Sequence, residues 1–192
     1  MKTTEKKRCR WCQGSELEID YHDNEWGKPL HDDQQLFEFL ILEGAQAGLS
    51  WVTILKKRDN YREAFDNFEI ERVAKYTKRK IESLMNNPGI VRNRLKIEST
   101  VSNAKIALEV QNEFGSLDTY LWSFVKGKPY INHWKNHSQI PATSEQSDAM
   151  SKALKKRGFR FVGSTICYAF MQATGMVNDH TVDCFCYPRK TR

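Results

Sequence analysis

The sequence lacks long hydrophobic runs and lacks an export signal. No apolar stretch approaches the roughly 18 residues that would span a bilayer, and the basic N-terminus has no apolar segment with a small-residue cleavage site. These absences argue against a membrane or secreted protein, so a cytoplasmic location is expected. The five cysteines are then expected to be reduced thiols or metal ligands rather than disulfides.

Repeats, low-complexity segments and strand patterns are also scarce. Most of the sequence has helical period, as in "DDQQLFEFLILEG", where Asp32 or Asp33 caps an apolar face, and a second helix is predicted from Ser50. Only "FRFVG" alternates like a strand. The predicted fold class is all-α, and residues 126–146 are the one long irregular connection. We expect one domain over residues 1–192, with two helical lobes around a cleft as the alternative.

The chain is basic, with 30 Lys and Arg residues against 24 Asp and Glu residues and a net charge of +6. Clustered Lys and Arg side chains neutralise phosphates and release counterions, so this charge favours a polyanion such as DNA as a partner. Charge alone does not identify a nucleic-acid-binding protein, because a shaped site is also required.

Cysteine and histidine residues are concentrated near both ends of the chain. A structural zinc site takes four nitrogen or sulfur ligands in a tetrahedron, and neither end supplies a complete set by itself. Spacing does not decide which thiols would take part, and unrelated surface or core residues are the alternative interpretation. The residues are Cys9, Cys12 and His22 at one end, and His180, Cys184 and Cys186 at the other.

A carboxylate and several aromatic side chains suggest a binding pocket. Glu43 follows the apolar run "FEFLIL" with no basic partner at helical spacing. A carboxylate is costly to bury unless it meets a cation or hydrogen-bond donors, so Glu43 is a candidate to bind a positive or donor-rich ligand. Tyr21, Trp26, Trp51 and Trp11 would be enough aromatic surface to line a base-sized slot. The alternatives are a Glu43 that braces neighbouring backbone and aromatic rings that belong to the core.

Residues 78–104 have the pattern of a helix, a tight turn at residues 88–90 and a second helix that opens with Arg92 and Arg94. Backbone amides at such a turn, beside a helix N-terminus and arginines, suit a phosphate oxygen. The pattern therefore predicts a DNA-binding helix-hairpin-helix in which Gly89 allows a close approach to DNA. A plain helical hairpin is the alternative.

Four long motifs resemble one known family. The segments "YHDNEWG", "LEGAQAGLSWVTILKKR", "SKALKKRGFRFVGSTICYAFMQATG" and "VNDHTVDCFCYP" resemble, in the same order, the bacterial 3-methyladenine DNA glycosylase I (Tag) family. The similarity runs along nearly the whole chain. It implies a mostly helical fold of the helix-hairpin-helix glycosylase superfamily and excision of 3-methyladenine from alkylated double-stranded DNA, with free 3-methyladenine as product and no redox or nucleotide cofactor.

The resemblance also implies a structural zinc ion that joins the N-terminal and C-terminal segments. Cys12 and Cys186 would be spare thiols, and Cys12 departs from the family pattern. The implied zinc ligands are Cys9, His22, His180 and Cys184.

The resemblance assigns the base pocket to Glu43, Tyr21 and Trp51, with Trp11 and Trp26 as further aromatic walls. A base inside a stacked duplex is out of reach, so the damaged nucleotide must be rotated out of the helix.

The remaining roles concern DNA and catalysis. Leu49 would be the apolar plug that fills the gap left by the rotated nucleotide, and Gly89 and Arg92 would contact the backbone. Methylation at N3 makes the base cationic and weakens the glycosidic bond. Aspartate is absent from the stretch after the hairpin, "VRNRLKIESTVSNAKIALE", so little general-base power is expected. Glu43 is the candidate catalytic residue.

Two alternative functions are compatible with the same residues. One is a zinc-containing DNA-binding module without catalysis, and the other is a glycosylase for a different alkylated purine such as 3-methylguanine. A monomer is expected, because the protein must wrap a single lesion.

Overall fold

A computed structural model describes residues 6–189, and helices dominate this range, as the sequence predicts. Most helices are short, and the longest carries the second half of the predicted hairpin. The α-helices in the described range are α1 (Glu16–Asn24), α2 (Asp33–Gln46), α3 (Trp51–Leu55), α4 (Arg58–Ala64), α5 (Ile70–Ala74), α6 (Lys78–Met85), α7 (Arg94–Phe114), α8 (Leu117–Trp122), α9 (Glu145–Lys156) and α10 (Ser164–Ala173).

Short 3₁₀ turns and one small sheet complete the described secondary structure. Strand β1 (Tyr130–Ile131) pairs in parallel with β2 (Val177–Asn178), so Tyr130 lies beside Val177. This pairing ties the long connection, residues 126–146, to the segment that leads into His180. The 3₁₀ turns are Arg10–Gly14, Asp66–Phe68, Ser123–Val125 and His137–Gln139.

Helix α2 lies at the centre of the fold. It begins where the sequence predicts, because the Asp32 side chain accepts a hydrogen bond from the Gln35 N–H at 2.9 Å. Residues 36–45 are all buried, as expected for a helix covered on every side. The helix continues through Gly44 to Gln46. A Cβ on Gly44 would lie 3.1 Å from the Phe161 Cβ, so the glycine permits close packing against Phe161. Glu43 is therefore carried into the interior.

Two predicted elements differ from the structure. The predicted strand "FRFVG" is wrong: these residues form a bend, with Phe161 at a φ of 56°. Its backbone is bound by a side chain instead of a neighbouring strand, because Asn103 donates to the Arg160 carbonyl at 3.0 Å and accepts from the Arg160 N–H at 2.9 Å. The helix predicted from Ser50 begins at Trp51 and is interrupted, forming α3 and α4.

The two ends of the described chain lie together. The Phe185 N–H donates to the Lys7 carbonyl at 2.9 Å, and the Lys7 ammonium forms an ion pair with Asp183 at 2.6 Å. The cysteine and histidine groups predicted from opposite ends of the sequence are consequently neighbours.

One cluster of buried apolar side chains extends from Cys9 to Cys184. Within residues 6–189, no helix is both long enough and apolar enough to cross a bilayer. The predicted single domain over residues 1–192 includes residues outside the described range and stays a prediction.

Candidate base pocket and candidate metal centre

An aromatic cavity of about 180 Å³ lies between α1, α2, α3 and α10. Its volume is far above the roughly 10–15 Å³ that one water requires, so it is large enough for an organic ligand. All five side chains predicted to form a base pocket line it. The lining residues are Trp11, Tyr21, Trp26, Glu43, Gln46, Trp51, His137, Ile140, Ala169 and Gln172.

Glu43 contributes the only acidic side chain among these lining residues. It is 4% exposed, and its carboxyl group makes no hydrogen bond to any residue of the described range. Burial raises the pKa of Glu43 to about 8, because the charged form loses its hydration without gaining a partner. A cation in the cavity would reverse this effect and favour the carboxylate.

The aromatic walls meet at oblique angles around the cavity. The ring centroids of Tyr21 and Trp51 are 5.4 Å apart, and those of Trp11 and Trp26 are 5.0 Å apart. Burial, with a smaller effect of the Glu43 charge, raises the pKa of Tyr21 well above its ordinary value. These rings line the cavity together with Glu43, and the π face of an aromatic ring attracts a planar cation.

Half of the cavity lining was not predicted from the sequence. Gln46 follows Glu43 by three positions on α2, so helical spacing was a usable signal for it. His137 and Ile140 come from the long connection, and Ala169 and Gln172 come from α10. These elements are distant in sequence, and only the tertiary structure brings them to Glu43.

The predicted plug residue, Leu49, lies on the loop between α2 and α3. The loop turns at Gly48, which has a φ of +80°, and leaves the Leu49 side chain 41% exposed. Its neighbours Gln46 and Trp51 both line the cavity. An exposed apolar side chain therefore lies beside the cavity.

Helix α6, residues 86–93 and helix α7 occupy the segment for which the sequence predicts a helix-hairpin-helix. The Gly89 N–H donates to the Asn87 side chain at 2.8 Å, so this amide already has a partner. A Cβ on Gly89 would lie 3.0 Å from atoms of Asn60, which gives the small residue a packing role as well. Arg94 is paired with Glu82 at 2.7 Å, whereas Arg92 is exposed and makes no ion pair with another described residue.

A cluster of possible metal ligands lies where the chain ends meet. The Cys184 Sγ is 3.4 Å from the His22 Nε2. Within the described part of the chain, the donor atoms of His22, His180, Cys184 and Cys186 all lie within 4.8 Å of one another. Cys9 is outside that set, yet its backbone N–H lies 3.5 Å from the His22 Nε2, and its neighbouring thiol lowers the pKa of Cys184. Cys9 and Cys186 therefore both border the other three residues.

Both histidines are oriented by a second hydrogen bond. The His22 Nδ1 is 2.8 Å from the Asp23 carboxylate, and the His180 Nδ1 is 3.1 Å from the Asn178 side-chain oxygen. Each ring thereby turns its Nε2 away from this partner, which is the usual arrangement for a zinc-binding histidine. The His180 Nε2 is buried without a partner among residues 6–189. This orphaned atom and the nitrogen and sulfur donors fit a structural zinc ion.

Cys12 is engaged elsewhere. Its thiol donates to the Cys9 carbonyl at 3.1 Å, and burial raises its pKa to about 11. A neutral thiol held by this short hydrogen bond is not positioned as a metal ligand. The fourth ligand beside His22, His180 and Cys184 would therefore be Cys9 or Cys186.

Comparisons with known proteins agree with this arrangement. The methyladenine glycosylase family matches residues 11–187. A DNA-3-methyladenine glycosylase 1 from Escherichia coli strain K12 is 50% identical over 182 residues, which cover 95% of this chain and 97% of the relative.

Solved structures of similar proteins have the same fold. A crystal structure of 3-methyladenine DNA glycosylase I (TAG) has a TM-score of 0.92 at 50% identity, with 95% of this chain and 100% of that chain covered. A variant of a 3-methyladenine DNA glycosylase I in complex with 3-methyladenine has a TM-score of 0.91 at 38% identity, with 95% and 98% covered.

Proposed function

This chain belongs to the methyladenine glycosylase family, and we propose that the cavity around Glu43 is the pocket that receives the damaged base. The protein is a DNA-3-methyladenine glycosylase, a hydrolase that excises 3-methyladenine from alkylated DNA. The single observation that carries the pocket assignment is the carboxyl group of Glu43, buried inside an aromatic cavity without a hydrogen-bond partner in the described range.

The chemistry of the substrate fits this cavity. Methylation at N3 places a positive charge on the purine, and the faces of Tyr21 and Trp51 would attract a planar cation by about 1–2 kcal/mol each when water is excluded. Glu43 would accept a hydrogen bond from the same base and supply the opposite charge. Normal adenine is neutral and gains less from both interactions, so the pocket would select for the methylated base.

Hydrolysis then requires little further activation. The bond between the base nitrogen and the sugar C1′ breaks with its electron pair moving to the base, which neutralises the positive charge. Water adds to the oxocarbenium-like C1′ and loses a proton. Glu43 would act by holding the cationic base in a strained position, where the base is a good leaving group.

DNA binding would use the surface next to the pocket. We propose that Leu49 fills the space left by the rotated nucleotide, since it is exposed and adjoins the cavity. The hairpin of α6 and α7 would contact the backbone as a helix-hairpin-helix, with the exposed Arg92 neutralising a phosphate. A monomer suffices for this arrangement, because a single chain carries the pocket, Leu49 and the hairpin.

The metal centre would be structural. We propose zinc bound by His22, His180, Cys184 and Cys9, with Cys186 as the competing fourth ligand. The resemblance to the family implies Cys9, and Cys9 is 1% exposed, whereas the distances between donor atoms favour Cys186. Zinc held by four side chains has no open position for substrate, so it would supply folding energy and no step of the reaction.

The decisive experiment is product analysis on methylated DNA. Incubation of the protein with alkylated duplex should release free 3-methyladenine, and undamaged duplex should release no base. A Glu43→Gln variant that binds DNA but releases little base would support the pocket assignment. DNA binding without any release would instead indicate a non-catalytic binding module, and preferential release of 3-methylguanine would indicate a different substrate.

A further inference from the structure

Gln172 places an amide group in the wall of the cavity. It lies on α10, lines the cavity together with Glu43, and is half-buried. Its Nε2 donates to an Asp179 carboxylate oxygen at 2.7 Å. Its backbone carbonyl accepts from the Gly27 N–H at 3.0 Å. Both the main chain and the side chain of Gln172 are therefore held in position.

Asp179 is a buried carboxylate that receives four hydrogen bonds. Asn132 and Trp134 donate to one oxygen, and Tyr168 and Gln172 donate to the other, each at 2.7 Å. An ionised carboxylate only accepts hydrogen bonds, so the amide of Gln172 must turn its NH₂ group toward Asp179. Its carbonyl oxygen, Oε1, is consequently directed away from Asp179.

The Gln172 Oε1 is an acceptor that is available to a ligand. It has no hydrogen-bond partner within residues 6–189, and it is not a fully enclosed atom. We propose that Gln172 is a second hydrogen-bond acceptor of the base pocket, oriented by Asp179, and that it selects purines with an amino group at C6. The inference rests on the proposed function of the pocket and deepens it.

The selection follows from the pattern of donors on the two purines. Adenine carries an NH₂ group at C6 and guanine carries a carbonyl oxygen there. The amino group has two N–H bonds, so Glu43 and Gln172 would each accept one. The carbonyl oxygen of guanine would face the acceptor oxygens of Glu43 and Gln172, and none of these three oxygens would have a donor. A site built to hydrogen-bond a ligand N–H rejects a ligand that lacks it strongly. Gln172 is thus a specificity-determining residue for adenine over guanine.

The test measures the affinity of free bases for Gln172→Met, which keeps the side-chain length and removes the amide. The probes are 3-methyladenine and 3-methylpurine, which lacks the amino group. We expect Gln172→Met to bind 3-methyladenine about 10- to 100-fold more weakly, because one N–H of the C6 amino group is left buried without an acceptor. Its affinity for 3-methylpurine should change by less than about threefold. Equal losses for both bases would overturn the inference.

Two further variants separate recognition from folding. Tyr168→Phe removes a hydrogen bond to the same Asp179 oxygen but leaves the Gln172 amide in place, so it should destabilise the protein and keep the preference for 3-methyladenine. Gln172→Asn retains an amide and withdraws it by one methylene, so it should lose the preference as Gln172→Met does. A Tyr168→Phe variant that loses the preference equally would reduce Gln172 to a structural role.

The same assays distinguish failure of the inference from failure of the proposed function. If wild-type protein releases 3-methyladenine from methylated DNA but Gln172→Met retains the wild-type ratio of 3-methyladenine to 3-methylguanine release, only the inference is wrong. If wild-type protein neither binds 3-methyladenine nor releases it, the pocket assignment fails and the inference with it.

Discussion

Glu43 is the residue whose environment most directly links structure and activity. Its carboxyl group has a pKa of about 8 because it is buried without a hydrogen-bond partner among residues 6–189. The same burial that destabilises the ionised group makes the cavity attractive to a cation, since the cation replaces the hydration that the carboxylate has lost.

The stability of the protein should depend on pH through Glu43. The carboxyl pKa is about 8 in the folded state and 4.5 ordinarily, so between these values the folded state holds a proton that the unfolded state has lost. Stability should therefore fall as pH rises through this window, by up to about 1.4 kcal/mol per pH unit. Urea unfolding of Glu43→Gln should lack this contribution. If the free energy of unfolding of the two proteins changed with pH in parallel, this role of Glu43 would be contradicted.

Activity should depend on pH in the opposite direction. A cationic nucleotide interacts best with ionised Glu43, so kcat/KM on methylated duplex should rise with pH until Glu43 is ionised in the free enzyme, near pH 8. The Glu43→Gln variant should have a lower kcat/KM, and its kcat/KM should not rise with pH in this range. If kcat/KM of the variant rises with pH as it does for the wild-type protein, the titrating group is not Glu43.

The aromatic wall should contribute through its π face. Trp51→Ala should weaken binding of free 3-methyladenine by about 1–2 kcal/mol, roughly 5- to 30-fold, because one stacking surface is lost. Trp51→Phe keeps a ring and should recover part of the affinity. Titration of the base against each variant measures both values, and an unchanged affinity of Trp51→Ala would count against stacking.

At the scale of elements, α7 holds the end of α2 that leads into the Leu49 loop. The Lys96 ammonium donates to the carbonyls of Ala45 and Ala47 at 2.7 Å each. These carbonyls lie at the C-terminus of α2, where a cation is favourable. Burial lowers the pKa of Lys96, so the ammonium depends on these two acceptors.

Lys96→Met should therefore destabilise the protein by about 1–3 kcal/mol, because two carbonyls lose a charged donor. It should also slow excision, since the Leu49 loop loses its support. Lys105→Met is the matched control on the same helix: its side chain is exposed and has no ion pair to another described residue, so stability should change by less than about 0.5 kcal/mol. Equal losses in urea unfolding would contradict the supporting role.

At the scale of the whole molecule, the proposed metal centre lies beside the pocket, where the two ends of the described range, residues 6–189, meet. His22 directly follows Tyr21 on α1, and Trp26 lies 4.7 Å from His180 between ring centroids. A metal bound there would hold two aromatic walls of the cavity in place, although it takes no part in the reaction.

Metal analysis of the purified protein should find about one zinc per chain. Cys9→Ser should lose the metal and much of the stability, whereas Cys186→Ser should retain both. Loss confined to Cys186→Ser would replace Cys9 by Cys186 as the fourth ligand. If the wild-type protein contains no zinc and Cys9→Ser folds normally, the proposed zinc site is wrong.

Local signals predicted much of the fold. The cap predicted at Asp32 is a property of a few neighbouring residues, and the structure has it. The strand predicted for "FRFVG" is wrong because a bend, bound by Asn103 from another helix, also buries Phe159 and Val162 and leaves Arg160 exposed. A partner so distant in sequence leaves no local signal.

The sequence by itself determined the helical character, the family and a list of chemically suitable residues, because these depend on periodicity and on long motifs. Only the tertiary structure decided which residues share a cavity. It brought Gln172 and His137 to Glu43, Asp179 to Gln172, and His22 to Cys184. Side chains act on a ligand through distances of a few ångströms, and such distances between remote segments arise only when the core packs.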